Sequence, residues 1–246
     1  MALTKTTGFV IKAFDYQESG RIVTLLSPRL GKISLLAKGA RRPESRFGAA
    51  LDLLNLIEVV FYDPERKGLK LLKEAAIIDH YPYLKRDYGR LEAALQAARS
   101  LNLLLKEGQG AGGTSNLFQE LLQELNKKGE GTEHLSRLLR LGFKLKLIDL
   151  LGFGPELEEC PSCRRELPRG ELLWLSPQAG GLICPACHRT HGHEGERKVP
   201  PPLAQSWRTI LRFPLGRLSR LVLPEELIEN GEDLLEEFIS YHLQPI

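Results

Sequence analysis

Four cysteines form two closely spaced pairs in the second half of the 246-residue chain. The pairs are Cys160-Pro-Ser-Cys163 and Cys184-Pro-Ala-Cys187, and twenty residues separate them. This spacing matches the C-x2-C-x15–20-C-x2-C pattern of a zinc ribbon, in which each tight turn aims two sulfurs at one ion. Four thiolates complete a tetrahedron and leave no position for a reactive water molecule. The spacing therefore predicts a structural Zn2+ ion with Cys160, Cys163, Cys184 and Cys187 as its ligands.

Other metal and redox chemistries also use closely spaced cysteines. A thioredoxin-type redox pair needs one C-x-x-C at a helix start, whereas this chain has two matched pairs. A zinc deaminase needs an upstream H-x-E sequence, which this chain lacks. A tetrahedral sulfur site also suits iron, so zinc and iron both stay open. His188, His191 and His193 follow closely; one of them could replace a cysteine ligand, although solvated loop histidines are the simpler interpretation.

A basic segment at residues 29–46 is the second feature that could do chemistry. Ile33, Leu35 and Ala37 alternate with other residues, as in a strand with one buried face, and a glycine-containing loop follows. The segment holds six cations and one anion, a charge of +5 in a chain of +3, so the remainder sums to −2. Such a cluster is typical of a surface for an anionic partner, although a solvated loop is the alternative. The predicted contact residues are Lys32, Lys38, Arg41, Arg42 and Arg46.

A third group of cations lies on a predicted helix. Arg137, Arg140 and Lys144 are spaced three and four residues apart, so they share one helix face. Leu141 and Phe143 are close by in the sequence. This combination favours a docking site for an acidic peptide. The alternative is an ordinary solvated helix flank.

Five predicted strands must position the basic segment. They cover residues 7–16, 21–26, 30–37, 53–63 and 69–78, with turns at 17–20, 27–31 and 64–68. Five short strands, with no helix needed between the first three, predict a closed antiparallel barrel of the OB-fold type. OB-folds bind oligonucleotides across strands 2 and 3 and the adjoining loops.

Helical patterns occupy most of the remaining chain. Apolar residues recur at steps of three and four within 84–105, 117–125 and 135–147, with Asn116 and Thr132 as predicted caps. Gly152 and Pro155 stop the third helix, and prolines at 200–202 and 224 open two more. We predict an α+β multidomain chain with an OB domain at 1–80, a zinc module at 160–193, and one helical bundle formed by 81–159 and 194–246.

Several classes of protein do not fit the sequence. It contains no apolar run of about eighteen residues, so no membrane partner is expected. Residues 1–7 lack the apolar core of a signal peptide, which predicts a cytoplasmic protein. No Walker, G-x-S-x-G or H-E-x-x-H motif is present, and we therefore predict that the chain is not an enzyme.

Two stretches resemble the RecO family of bacterial recombination mediators. The first is TTGFVIKAFDYQESGRIVTLLSPRLGKISLLAKGARRPESRFG, and the second is FKLKLIDLLGFGPELEECPSC followed by GGLICPAC. The resemblance runs from Thr6 to Cys187 and becomes less distinctive beyond it. Lys38, Arg41, Arg42 and Arg46 match the basic loop of the family position by position.

The resemblance implies a function. Members are non-enzymatic DNA-binding proteins with an OB domain, a helical domain and, in many cases, a zinc site. They anneal complementary single strands and act with RecR, and often RecF, to load RecA onto DNA coated by single-strand binding protein. Some members dock the acidic, phenylalanine-ended tail of that protein on the helical domain. The alternative is a protein-interaction adaptor with an OB domain and structural zinc that does not bind DNA directly.

Overall fold

The computed structural model describes residues 2–63, 70–129, 133–192 and 195–243. The chain forms two compact units, Met1–Gly131 and Thr132–Ile246, named here the barrel unit and the cysteine unit. The helices between residues 82 and 125 thus group with the barrel, whereas the sequence predicted one bundle on both sides of the cysteines. The finer boundaries at 80/81, 159/160 and 193/194 stay a prediction.

A closed five-stranded barrel forms the first part of the barrel unit, as predicted. Its strands are β1 (Ala2–Tyr16), β2 (Gly20–Ser27), β3 (Gly31–Ala37), β4 (Leu56–Asp63) and β5 (Lys70–Asp79). They lie in the order β1-β2-β3-β5-β4, and β1 pairs with β4 to close the ring. All pairs are antiparallel except β3 with β5, which meet only at Leu35–Lys70 and Leu36–Leu71. The predicted turn at 64–68 lies outside the described residues.

The barrel interior is filled by alternate residues of its strands, as period-two patterning requires. Val23 and Leu25 of β2, Leu35 of β3 and Phe61 of β4 are fully buried there. A 3-10 turn at Gly48–Leu51 follows the basic segment, and its Leu51 joins the same core. Both ends of the basic segment are therefore anchored in one hydrophobic cluster.

A glycine-rich segment covers the part of the β3 edge that β5 does not reach. The amide of Lys32 donates to the Gln109 carbonyl at 2.7 Å, and the Gly108 amide donates to the Lys32 carbonyl at 2.8 Å. Gly31 makes this approach possible, because a Cβ there would collide with the Gln109 carbonyl oxygen. Gly31 also has a φ of +68°, which side chains disfavour. The edge is thus protected from pairing with another chain.

Three helices complete the barrel unit: α1 (Pro82–Arg86), α2 (Tyr88–Leu104) and α3 (Gly113–Leu125). The buried face of α2 consists mainly of alanines, which allows close packing on β1. Phe118 of α3 meets Phe9 of β1 edge-on, with ring centroids 5.5 Å apart. The predicted Asn116 cap is wrong, because α3 begins three residues earlier, and Thr132 lies outside the described residues.

The cysteine unit contains helices and a small sheet. Its helices are α4 (Glu133–Leu150), α5 (Pro185–His191), α6 (Pro201–Arg212) and α7 (Glu225–Leu243). The strands β6 (Leu173–Ser176), β7 (Gly181–Ile183) and β8 (Arg197–Val199) form an antiparallel sheet in the order β7-β6-β8. Helix α4 packs on α6 and α7. As predicted, a glycine ends α4: Gly152 has a φ of +82°, and the Phe153 amide donates to the Ile148 carbonyl at 3.1 Å.

Candidate nucleic-acid interface and metal centre

The basic loop, residues 38–46, leaves the barrel where β3 ends. Ala37 pairs with Arg21, so β3 stops opposite the turn between β1 and β2. Gly39 adopts a φ of +72°, and the Arg42 amide donates to its carbonyl at 3.1 Å. These bonds fold the loop into local turns. They leave the side chains of Lys38, Arg41, Arg42 and Arg46 exposed.

The basic loop is tied to the β1–β2 turn through Arg41. Its amide donates to the Ser19 carbonyl at 3.0 Å, and its Nε lies 3.2 Å from Asp15 Oδ2. The pair is about half exposed on both sides, so its net contribution to stability is small. Among the described residues, Lys38, Arg42 and Arg46 take part in no ion pair. Three of the four loop cations are thus available to an anion, and Arg41 is shared with Asp15.

Two depressions flank the basic loop. The Tyr16 depression, of about 630 Å³, is lined by Tyr16, Gln17, Glu18, Ser19, Gly20, Leu36, Lys38, Gly39 and Arg42. The Arg46 depression, of about 520 Å³, is lined by Lys38, Gly39, Arg42, Pro43, Glu44, Ser45, Arg46 and Phe47. Lys38, Gly39 and Arg42 border both. The loop cations therefore form a ridge between two concave surfaces.

Three aromatic residues near the basic loop have different environments, which the sequence left undecided. Phe47 is 3% exposed and belongs to the barrel core. Phe14 is 43% exposed on the outside of β1, and Lys12 Nζ lies 5.2 Å from its ring centroid. Tyr16 is half-buried and lines the Tyr16 depression.

Lys32 is separated from the other predicted DNA-binding residues. Its Nζ donates to the carbonyls of Asn102, at 2.6 Å, and Leu105, at 2.8 Å. These carbonyls end α2 and lack helical partners, so the lysine acts as a cap there. Burial lowers the pKa of Lys32, an effect that the nearby Glu107 charge opposes. We therefore leave Lys32 out of the candidate interface.

The predicted peptide-docking cations on α4 are already paired within the cysteine unit. Arg140 makes a bidentate pair with Glu232 of α7, with Nε–Oε1 at 2.6 Å and Nη2–Oε2 at 2.7 Å. Arg137 contacts Glu225 and Glu229, and Lys144 contacts Glu236. The sequence showed one cationic face, but the acidic face that neutralises it begins almost ninety residues later. The prediction that these three residues receive an acidic peptide has no support in this geometry.

An apolar groove lined by two arginines lies elsewhere in the cysteine unit. This groove, of about 260 Å³, is lined by Thr209, Phe213, Arg217, Leu218, Arg220 and Leu221, and we call it the Phe213 groove. Phe213 is 41% exposed, and Arg217 Cζ lies 5.6 Å from its ring centroid. We missed this site in the sequence. Its signal was present, because residues 212–223 contain three arginines and no acid.

The four cysteines come together as their spacing predicted. Their Sγ atoms all lie within 4.8 Å of one another, and none forms a disulfide. Tetrahedral Zn–S bonds of about 2.3 Å place sulfurs about 3.8 Å apart, and the Sγ atoms of Cys163 and Cys184 are 3.9 Å apart. The first knuckle is a tight turn in which the Arg164 amide donates to the Cys160 carbonyl at 2.8 Å. Four buried or half-buried thiols in this arrangement could hold one metal ion.

The protein environment already favours a thiolate at one cysteine. Hydrogen bonds from the backbone and side chain of Arg165 lower the pKa of Cys163 to about 6. Burial raises the pKa of Cys187 to about 12, and hydrogen bonding among the sulfurs adds to this. The two pKa values shift in opposite directions because Arg165 stabilises the Cys163 thiolate, whereas burial disfavours a charge on Cys187. A cation at their centre would favour the thiolate form of all four cysteines.

His188, which directly follows the second knuckle, is not part of this cluster. His188 stacks on Trp174, with ring centroids 4.0 Å apart and planes at 12°. Its Nδ1 lies 2.5 Å from Glu196 Oε2, which holds the ring in that position. His193 and the side chain of His191 lie outside the described residues. Among the described residues, the cluster that could hold a metal ion consists of the four cysteines alone.

Among the described residues, no helix combines the length and apolar character that crossing a bilayer requires.

Fold and site together define a class of two-part proteins. One part is an OB-type barrel with a basic rim, and the other is a helical unit that carries a four-cysteine module. Models of Recombination protein O match in two parts, the N-terminal model at residues 1–81 and the C-terminal model at residues 85–245. The chain belongs to the Recombination protein O (RecO) family.

Individual relatives agree with the family models. The DNA repair protein RecO of Geobacter metallireducens is 32% identical over 243 residues, covering 99% of this chain and 93% of that protein. RecO of Symbiobacterium thermophilum is 30% identical, with 97% and 92% covered. RecO of Moorella thermoacetica is 28% identical, with 98% and 86% covered.

The pairing of α4 with α7 makes a prediction about Arg140. Arg140→Ala leaves Glu232, which is 11% exposed, without its bidentate partner. Loss of one member of a mostly buried pair costs about 2 kcal/mol or more in unfolding free energy. A urea denaturation curve measures this loss. Arg99→Ala, which removes an exposed arginine of α2, serves as the control and should change the midpoint little. Unchanged stability of the Arg140→Ala protein would contradict a structural role.

Proposed function

We propose that the chain is a recombination mediator without enzymatic activity that binds single- and double-stranded DNA at the basic loop. It anneals complementary strands and, with RecR and RecF, helps to load RecA onto DNA coated by single-strand binding protein. The observation that carries the proposal is the exposed, one-signed ridge of Lys38, Arg42 and Arg46 between two depressions. Family membership supports a role in DNA repair. We place this role in the cytoplasm, where the DNA is.

The physical basis of the proposal is phosphate neutralisation. Each cation that contacts a phosphate releases condensed counterions, so binding is independent of sequence and weakens with salt. Two complementary strands repel each other, and holding one strand on a cationic ridge reduces that repulsion. Arg41 contributes less than its neighbours, because a phosphate must compete with the Asp15 carboxylate for it.

The first prediction of this proposal concerns the ridge. Changing Lys38, Arg42 and Arg46 together to alanine removes three phosphate contacts. The log–log salt slope for single strands should then fall by roughly 2, at about 0.7 per lost contact. Fluorescence anisotropy with a labelled oligonucleotide at several salt concentrations measures the slope. Annealing by the purified protein should weaken in parallel.

The control variant removes the same number of positive charges at other positions in the barrel unit. Arg86, Arg99 and Lys106 are exposed residues on or near α1 and α2, and their triple alanine variant should keep the slope and annealing activity. An equal loss in both variants would mean that only overall charge matters. An unchanged slope in the ridge variant would remove the basic loop from the DNA.

The metal of the cysteine cluster is, in our proposal, a structural Zn2+ ion. Cys160, Cys163, Cys184 and Cys187 would hold it, and the number and separation of their sulfurs fit a tetrahedral site. The ion supplies charge and a cross-link between the two knuckles. Cys184 is the residue before α5, and the segment before Cys160 pairs with Gly180 and Leu182, so the ion ties two chain segments to one sheet.

Removal of zinc should therefore lower stability. We expect one zinc ion per chain by elemental analysis, and a lower melting temperature after chelation or in the Cys184→Ser protein. His188→Ala should keep the zinc content, because that imidazole faces Trp174 and Glu196. A chelated protein that melts unchanged, or a His188→Ala protein that loses zinc, would contradict this assignment. Iron in place of zinc would show by its absorption spectrum.

The Phe213 groove favours a second candidate function, that of an adaptor which binds proteins rather than DNA. Its exposed aromatic ring and its arginines suit a peptide that is acidic and ends in an apolar residue. The tail of single-strand binding protein has this chemistry, and we propose this groove for it in place of the α4 cations. The two candidate functions are compatible, and annealing by the purified protein distinguishes a mediator from an adaptor alone.

The groove makes a prediction that does not involve DNA. Arg217→Ala and Arg220→Ala together should weaken binding of a synthetic acidic, phenylalanine-ended peptide at least tenfold, since each arginine is a charge-assisted contact. The same change should leave oligonucleotide affinity within about twofold. Isothermal titration measures the first quantity. Equal peptide affinity in wild-type and variant proteins would exclude the groove.

A further inference from the structure

The outer face of β1, β2 and β3 carries an apolar row. Phe14 lies directly opposite Ile22, and Ile22 lies directly opposite Leu36. Residues opposite each other in a sheet point to the same side, so the three side chains form one line across the strands. Phe14 is 43% exposed, Ile22 is 8% exposed, and Leu36 is half-buried. We name Phe14, Ile22 and Leu36 the outer row.

The outer row does not face the barrel interior, but Ile22 is itself buried, so Phe14 and Leu36 are the accessible members of the row. The core takes Val23 and Leu25 from β2 and Leu35 from β3, which are the alternate positions of the same strands. Packing in the barrel core therefore does not explain the outer row, since exposing an aromatic ring such as that of Phe14 to water is unfavourable.

Cations lie at both ends of the outer row. Lys12 Nζ is 5.2 Å from the Phe14 ring centroid. At the other end, Leu36 lines the Tyr16 depression together with Lys38 and Arg42. Gly20 also lines this depression, and a Cβ there would lie 2.7 Å from the Tyr16 carbonyl oxygen and 3.7 Å from Leu36 Cδ1. The missing side chain keeps the depression open beside the row.

An apolar strip between cations suits single-stranded DNA better than double-stranded DNA. In a single strand the bases are free to expose their faces, and a protein ring can stack on them while cations hold the phosphates. In a duplex the bases are already stacked, and the outside of the molecule presents phosphates and groove edges. Cations alone serve both forms of DNA, but the outer row serves only the single strand.

We propose that the accessible residues of the outer row, Phe14 and Leu36, form with Tyr16 a base-contacting surface that selects single-stranded over double-stranded DNA, with Phe14 as its stacking residue. The inference rests on the DNA binding proposed for the basic loop, whose cations contact phosphates. It adds a surface that contacts the bases. Stacking uses the face of a base and leaves its hydrogen-bonding edge free. A strand held in this way still presents its pairing edges to a complementary strand, which is the state that annealing requires.

Binding assays with Phe14→Ala test the inference. Its affinity for a thymine oligonucleotide should fall about tenfold or more, the loss typical of one stacked base. Its affinity for a duplex of equal length should stay within about twofold, and its salt slope should not change, because no charge is lost. An abasic oligonucleotide should not distinguish the variant from the wild type. Leu3→Ala, which removes another exposed apolar residue of β1, is the matched control and should leave all three affinities unchanged.

A second variant detects contact without loss of function. Phe14→Trp retains a stacking ring, and its added fluorescence should be quenched by the thymine oligonucleotide and not by the duplex. Unchanged single-strand affinity in Phe14→Ala, with the ridge variant still impaired, would overturn the base-contacting surface and leave the DNA-binding proposal intact. If neither Phe14→Ala nor the ridge variant weakened DNA binding, both the base-contacting surface and the DNA-binding proposal would fail. If Phe14→Ala lost equal affinity for the single strand and the duplex, the proposed selectivity would be wrong. If Phe14→Ala lost binding to a protein partner but kept its affinity for the oligonucleotide, the base-contacting surface would be wrong.

Discussion

Closure of the barrel is the constraint on which the rest of the barrel unit depends. Strand β3 meets β5 over only two residue pairs and must then leave the sheet at Ala37. The chain re-enters the hydrophobic core ten residues later at Phe47, so the basic loop is short and anchored at both ends. A hydrogen bond from the Arg41 amide to the β1–β2 turn fixes its direction. The cations are thus held at the barrel rim before any ligand arrives, which reduces the ordering cost of binding.

Whether a cation is paired within the protein or available to a ligand depends on the groups that the fold places beside it. Lys32 ends on carbonyls of α2, and Arg90 donates to carbonyls just beyond α3. Arg140 ends on a carboxylate of α7. Each of these residues satisfies a group that burial would otherwise leave unpaired. Of the predicted DNA-binding residues, Lys38, Arg42 and Arg46 take part in no ion pair among the described residues, and they border the two depressions.

The sequence predicted features that depend on local spacing. Alternation identified the five strands, and two C-x-x-C turns identified the cysteine cluster, because both patterns are complete within a few residues. It did not predict partners separated by long stretches of chain. An amphipathic stripe shows that α2 must bury one face, but it does not show that this face meets β1. Lys32 and Lys38 look alike in the sequence, and only the arrival of α2 some seventy residues later separates their roles. Strand β8 was missed because two of its three residues are exposed.

The pairing of α4 with α7 has a consequence for synthesis on the ribosome. Arg140 and Glu232 are separated by 92 positions, whereas the barrel unit is complete by Gly131. Domains generally fold in the order in which they emerge, so the barrel can form while the second unit is still being translated. During that interval Arg137, Arg140 and Lys144 of α4 lack the carboxylates of α7 that pair with them in the folded unit. The charge pairing of the cysteine unit is therefore completed only when α7 has been translated.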